Sequence, residues 1–113
     1  MDKYIAPLIL LALAGCNKSA ESEREHHDLA YAEEGKAEIA KLLRDPSSAK
    51  FGEARVSRKQ GPPVICGTVN SRNGFGGMTG DKRFIAAPGV ISVVEGENMT
   101  EAEFSGSWIQ FCS

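Results

Sequence analysis

Apolar residues recur at helical spacing between residues 22 and 44 and at strand-like spacing after Phe51, and this change of period divides the chain. Ser22-Glu23-Arg24-Glu25 has the capping-box pattern, in which the serine accepts from a helical amide and the glutamate reaches back. A helix from there to about Arg44 is predicted. Leu29, Ala32, Ile39, Ala40, Leu42 and Leu43 supply its apolar stripe, while Glu33, Glu34, Lys36, Glu38 and Lys41 face water. Lys41 and Arg44 suit the negative pole of the helix dipole. Gly35, about 1 kcal/mol worse than alanine inside a helix, marks where the segment would divide into a looser and a firmer half. Asp45-Pro46 ends the helix, because the residue before a proline is driven out of helical backbone. Asp45 then caps a short turn with Pro46 at its first position.

After Phe51 the runs are short, rich in β-branched and aromatic residues, and punctuated by glycine and proline. They predict strands near 51–57, 64–70, 83–87, 90–95 and 107–112, interrupted by Gly61-Pro62-Pro63 and Pro88-Gly89. Phe84, Ile85, Val90, Ile91, Val93, Val94, Ile109 and Phe111 are the expected core. Val64, Cys66 and Thr68 alternate onto one face, as do Trp108, Gln110 and Cys112. The fold class that follows is α+β, an N-terminal helix packed on a small antiparallel sheet. The pattern carries no strand order.

Upstream, the run from Tyr4 to Ala14 is apolar apart from Pro7, follows Lys3 and ends in Leu13-Ala14-Gly15-Cys16. A basic start, a short hydrophobic stretch and small residues at the cut are the layout of a signal peptide. The stretch falls short of the roughly 20 apolar residues that span a bilayer. LAGC resembles the lipobox of bacterial lipoproteins. That resemblance implies removal of residues 1–15, lipidation of Cys16, and a lipid anchor facing the periplasm; the small, polar residues after Cys16 make 16–22 a tether and leave 23–113 as a single domain. Asp2 departs from the usual basic start, and Asn17 leaves inner and outer membrane undecided.

Cleavage would leave 98 of the 113 residues, one small domain that gains from a staple. The formal charge of −2 gives no footprint for nucleic acid and no net attraction to anionic lipid beyond the anchor. With Cys16 lipidated, Cys66 and Cys112 remain, and export permits them to form one disulfide. The bridge would join two strands, or one strand and a neighbouring layer. Its C-x-x-C-free spacing speaks against a redox pair.

The stretch Asn70 to Asp81, NSRNGFGGMTGD, is long, glycine-rich and able to adopt left-handed backbone. It reads either as an irregular connection or as a binding loop with Arg72, Asn73 and Phe75 as contacts, since loops of this length are often functional. It lacks the Gly-Lys-Ser/Thr ending of a phosphate-binding loop. DPSSAKF at 45–51, VICGTVNSRNGFGG at 64–77 and Arg83-Phe84 together resemble a small group of proteobacterial and phage-associated domains. The resemblance covers most of 42–85 and implies a shared fold; the group brings no activity with it.

Catalytic chemistry finds little support. His26 and His27 are adjacent, about 100° apart on a helix, so they do not share one metal ion easily. Ser105 and Ser107 lack the G-x-S-x-G context of a nucleophile elbow. Glu95, Glu97, Glu101 and Glu103 read as a solvated turn. No cofactor, metal or catalytic residue is therefore expected. The functional expectation is a membrane-anchored, non-enzymatic binding or structural module of the bacterial envelope whose partner is another envelope protein. The alternative is an inhibitor-type lipoprotein directed at lysozyme or at phage superinfection. Closing the loop between Cys66 and Cys112 removes chain entropy worth about 4 kcal/mol. Cys66→Ser is expected to lower the melting temperature by many degrees and to match the reduced wild type; a melt indifferent to reductant contradicts the bridge.

Overall fold

The computed structural model describes the backbone of residues 6–113 and the side chains of 19–113. The expected signal segment and the lipidation site at Cys16 lie outside the residues whose side chains are described. The chain divides into two compact units between Ala30 and Tyr31. In the first, the described side chains from 19 to 30 are exposed apart from half-buried Asp28.

Helix α1 covers Ala6–Leu42. It therefore passes through Ser22, and Ser22-Glu25 lies inside the helix rather than capping it. Within the second unit α1 buries Ala32, Gly35 and Ile39, and Leu43 just past its end continues the row at spacings of three, four and four residues. Leu29 and Leu42, both assigned to the stripe from sequence, are exposed. Asp45-Pro46 stops the helix as expected. A 3-10 turn, Pro46–Ser48, follows with Asp45 at its cap position. The Asp45 carboxylate accepts from the Ser47 hydroxyl rather than from a backbone amide.

Four strands follow: β1 Lys50–Ser57, β2 Val64–Asn70, β3 Lys82–Ala87 and β4 Ile91–Val94. They form an antiparallel meander in the order β1-β2-β3-β4. Its registers include Arg55 opposite Cys66, Cys66 opposite Ile85, and Ile85 opposite Val93. The β3–β4 turn places Pro88-Gly89 at its centre and closes with the Val90 amide donating to the Ala87 carbonyl at 2.8 Å.

The fifth expected strand is a helix. Helix α2 spans Glu101–Phe111, starting at Thr100, whose hydroxyl accepts from the Glu103 amide. Thr100-Glu101-Ala102-Glu103 is itself a capping-box pattern, and two acids in the first turn complement the dipole. Phe104, Trp108, Phe111 and Cys112 then fall on one helical face and pack together. The same residues read at period two gave the mistaken strand, because Trp108, Gln110 and Cys112 also satisfy alternation.

The α+β expectation, a helix packed on an antiparallel sheet with one disulfide, is what the structure contains. The second helix adds a layer on the opposite face. Ile65, Val69, Phe84, Ala86 and Val94 point toward α1, where Phe84 meets Phe51 edge-on at 5.8 Å between ring centres. Val64, Cys66, Ile85, Ala87 and Val93 point toward α2 and pack with Phe104 and Cys112. A sheet covered on both faces needs apolar residues at consecutive positions, which is why β3 is buried through Phe84, Ile85, Ala86 and Ala87. Three expected core residues are exposed instead: Val90 belongs to a turn, Ile91 opens an edge strand, and Ile109 lies on the outer side of α2.

Gly35 has a packing role that its helix propensity conceals. A Cβ there would overlap the Ile65 Cδ1 methyl and lie 3.4 Å from Ala86 Cβ, so the missing side chain lets α1 approach β2 and β3 closely. Gly106, in the middle of α2, faces open space. Two glycines inside helices should therefore respond oppositely. Gly106→Ala is expected to raise unfolding free energy by about 0.5–1 kcal/mol. Gly35→Val is expected to lower it by about 1–3 kcal/mol through overpacking; urea melts of both variants check the contrast.

Candidate functional site

The 70–81 segment leaves β2 and returns to β3 as a braced loop. At its base the buried Ser71 carbonyl accepts from the Thr79 amide at 2.8 Å, and the Asn70 side chain accepts from the Gly80 amide at 3.0 Å. Above that, Arg72 and Met78 form a bridge. The Asn73 amide donates to the Gly77 carbonyl at 2.7 Å, and the Gly76 amide to the Asn73 carbonyl at 3.2 Å. The Asn73 carboxamide oxygen accepts from the amides of Phe75 and Gly77 at 2.9 and 3.1 Å. Gly76 has φ of +86°, a left-handed position that glycine occupies without steric cost.

The result is a small, internally bonded turn with Phe75 at its tip, 100% exposed. Of the three contact residues read from sequence, Phe75 and Arg72 are exposed. Asn73 is half-buried, and its side-chain oxygen is spent within the loop. Asn73 shapes the site, and Phe75 is the side chain it presents. The loop is tied to the rest of the domain on one side. The Arg72 amide donates to Ser48 Oγ at 2.8 Å, and the Arg44 guanidinium lies against the backbone of Gly74.

A second cluster joins β3 to α2. The Arg83 guanidinium bonds the Glu95 carboxylate through Nη2 at 2.6 Å and Nε at 3.3 Å, and reaches Ser105 Oγ at 3.2 Å. Its plane sits over the rings of Phe104 and Trp108, at 5.2 and 5.3 Å from their centres. The hydrogen bond from Arg83 holds the Glu95 carboxyl below its ordinary pKa against the opposing effect of burial. Glu95 and Glu97, read from sequence as a solvated turn, are thus both paired, the latter with Lys82 at 2.7 Å. Ser105 is a hydrogen-bond partner of Arg83.

A cavity of about 340 Å³ opens between the sheet and α2. Val64, Ile85, Ala87 and Val93 form its floor, with the Pro62-Pro63 and Val90-Ile91 turns and Phe111 as walls. Helix α1 pins both turns. Tyr31 donates to the Pro63 carbonyl at 3.0 Å, and Glu38 accepts from the Gly89 amide and from the Ser92 hydroxyl. Burial first, then the carboxylates of Glu34 and Glu38, pushes the Tyr31 phenol above its ordinary pKa. The lining is apolar apart from Tyr31 and Ser107, a size and character suited to an apolar group.

Among the described residues, no group of three or more His, Cys, Asp or Glu side chains is placed to hold a metal ion. Comparison of the chain with protein-family models, with curated proteins and with solved structures finds no match.

The depressed Glu95 pKa fixes the sign of one pH effect. The pair contributes stability above the unfolded carboxyl value of about 4.5 and loses it as the pH falls through the lower folded value. Glu95→Gln is expected to cost about 1 kcal/mol at neutral pH and to flatten the acid limb of the melting temperature, as thermal melts from pH 7 down to about pH 2 would show.

Proposed function

We propose that this chain is a membrane-anchored lipoprotein whose domain acts as a non-enzymatic binding module of the bacterial envelope, with the 70–81 loop as its contact region. Residues 1–15 act as the signal peptide and Cys16 carries the lipid. The disulfide between Cys66 and Cys112 accords with an oxidising compartment. The observation that carries the binding reading is Phe75. An aromatic side chain fully exposed on a turn fixed by five hydrogen bonds presents a preorganised apolar contact, and rigid presentation lowers the ordering cost of association. Another component of the envelope is the partner, an envelope protein being the expectation from sequence.

The test is a photoreactive amino acid in place of Phe75, activated in intact cells. A discrete adduct with one envelope component is expected, and it should weaken several-fold in an Asn73→Ala background, where the turn loses its brace. Diffuse labelling, equal in both backgrounds, overturns the reading.

A further inference from the structure

We infer that the component met by the Phe75 loop is the anionic headgroup layer of a membrane, bound through a cationic rim around an inserting aromatic tip. This rests on the reading of the loop as the contact region and names what it contacts.

The net charge of −2 conceals a local concentration of cations. Lys41 and Arg44 end α1, Lys50 opens β1 opposite Asn70, and Arg72 stands in the loop itself. Three contacts bring Arg44, Lys50 and Arg72 to one end of the domain, the Arg72 amide on Ser48, the Lys50–Asn70 pairing and Arg44 laid against Gly74, and Lys41 stands three residues before Arg44 in the last turn of α1. All four side chains are exposed, and none has an ion-pair or hydrogen-bond partner among the described residues. The acids nearby in sequence are Asp45, which accepts from Ser47, Glu53 in β1, Asp81 beyond Gly80, and Glu38, whose carboxylate is turned to Gly89 and Ser92 toward the other end of the sheet. The cations at the start of β3, Lys82 and Arg83, are neutralised by Glu97 and Glu95. Four unpaired cations against Asp45, Glu53 and Asp81 leave this end with a positive excess in an acidic chain.

The shape of the tip selects among anionic partners. Residues 74–78 are all exposed, and three of the five are glycine, so Phe75 and Met78 supply nearly all the side-chain contact. A stable protein interface buries about 800 Å² on each partner, far more than such a tip offers. A lipid surface makes no such demand. Phenylalanine enters the boundary between headgroups and acyl chains while flanking cations stay with the phosphates, and guanidinium groups match phosphate geometry.

The experiment uses the full lipidated chain carrying Phe75→Trp, with Trp108→Phe to remove the one native tryptophan. It is reconstituted in phosphatidylcholine vesicles with or without phosphatidylglycerol, including brominated lipid. On phosphatidylglycerol vesicles the introduced indole is expected to shift to the blue and to be quenched by bromine, and both signals should fade in pure phosphatidylcholine. Arg44→Gln and Arg72→Gln should each lower the inserted fraction roughly five-fold, and raised salt should do the same without any substitution. Unshifted emission from protein that floats with the vesicles overturns the inference while leaving the anchor in place. Protein that fails to float overturns the anchored reading and this one together. Insertion indifferent to phosphatidylglycerol and salt also overturns it, as does a photoadduct at position 75 confined to an acidic protein.

Discussion

The covalent link between Cys66 and Cys112 fixes the last helix to the second strand, and the layer on that face of the sheet depends on it. The two Cα atoms stand 5.9 Å apart across 46 residues of chain. Cys112 is also the C-terminal cap of α2, so the bridge sits where a helix leaves its carbonyls unpaired. Side chains from β1 and the turn after it satisfy those carbonyls. Arg55 bonds the carbonyl of Cys112, Ser57 that of Phe111, Gln60 that of Gln110, and Lys59 those of Ile109 and Ser113. Two of the four donors are cations at the negative end of the helix dipole, a favourable placement. Disulfide and clamp act on the same few residues: one restricts the unfolded chain, the other bonds the folded backbone.

At its other end α2 is held by Arg83, which links the end of the sheet to Glu95, Ser105 and the stacked pair Phe104–Trp108. A helix of 11 residues has too few turns to be stable alone. Its persistence therefore comes from tertiary contacts at both ends and from burial of Phe104. Helix α1 covers the opposite face by different means. Gly35 permits close approach to β2 and β3, and Tyr31 and Glu38 fasten the two turns at one end of the sheet. The loop proposed to make contact lies beyond the other end of the same strands, where its internal bonds leave Phe75 free to meet a partner.

Local sequence determined the elements whose signals are short-ranged. The helix stop at Asp45-Pro46, the strands near 51–57, 64–70, 83–87 and 90–95, and the turn at Pro88-Gly89 follow from backbone restrictions of proline and glycine and from β-branched runs. The pairing of Cys66 with Cys112 followed from counting thiols once Cys16 was set aside for lipid. The exposure of Arg72 and Phe75 was legible because glycine and asparagine mark a turn that lifts its other residues outward.

Only the tertiary structure decided between readings that local pattern leaves equal. Residues 107–112 satisfy both alternation and a helical stripe; the cap at Thr100 and the clamp from β1 select the helix. Gly35 has no side chain to reveal that Ile65 fills its place, so a helix-breaking residue and a packing contact look alike in sequence. Glu95 becomes a half-buried partner of Arg83, and Arg44, Lys50 and Arg72 meet at one end of the sheet, because the fold joins segments far apart in the chain. Charge neutralisation and burial depend on distance in space, whereas sequence records only distance along the backbone.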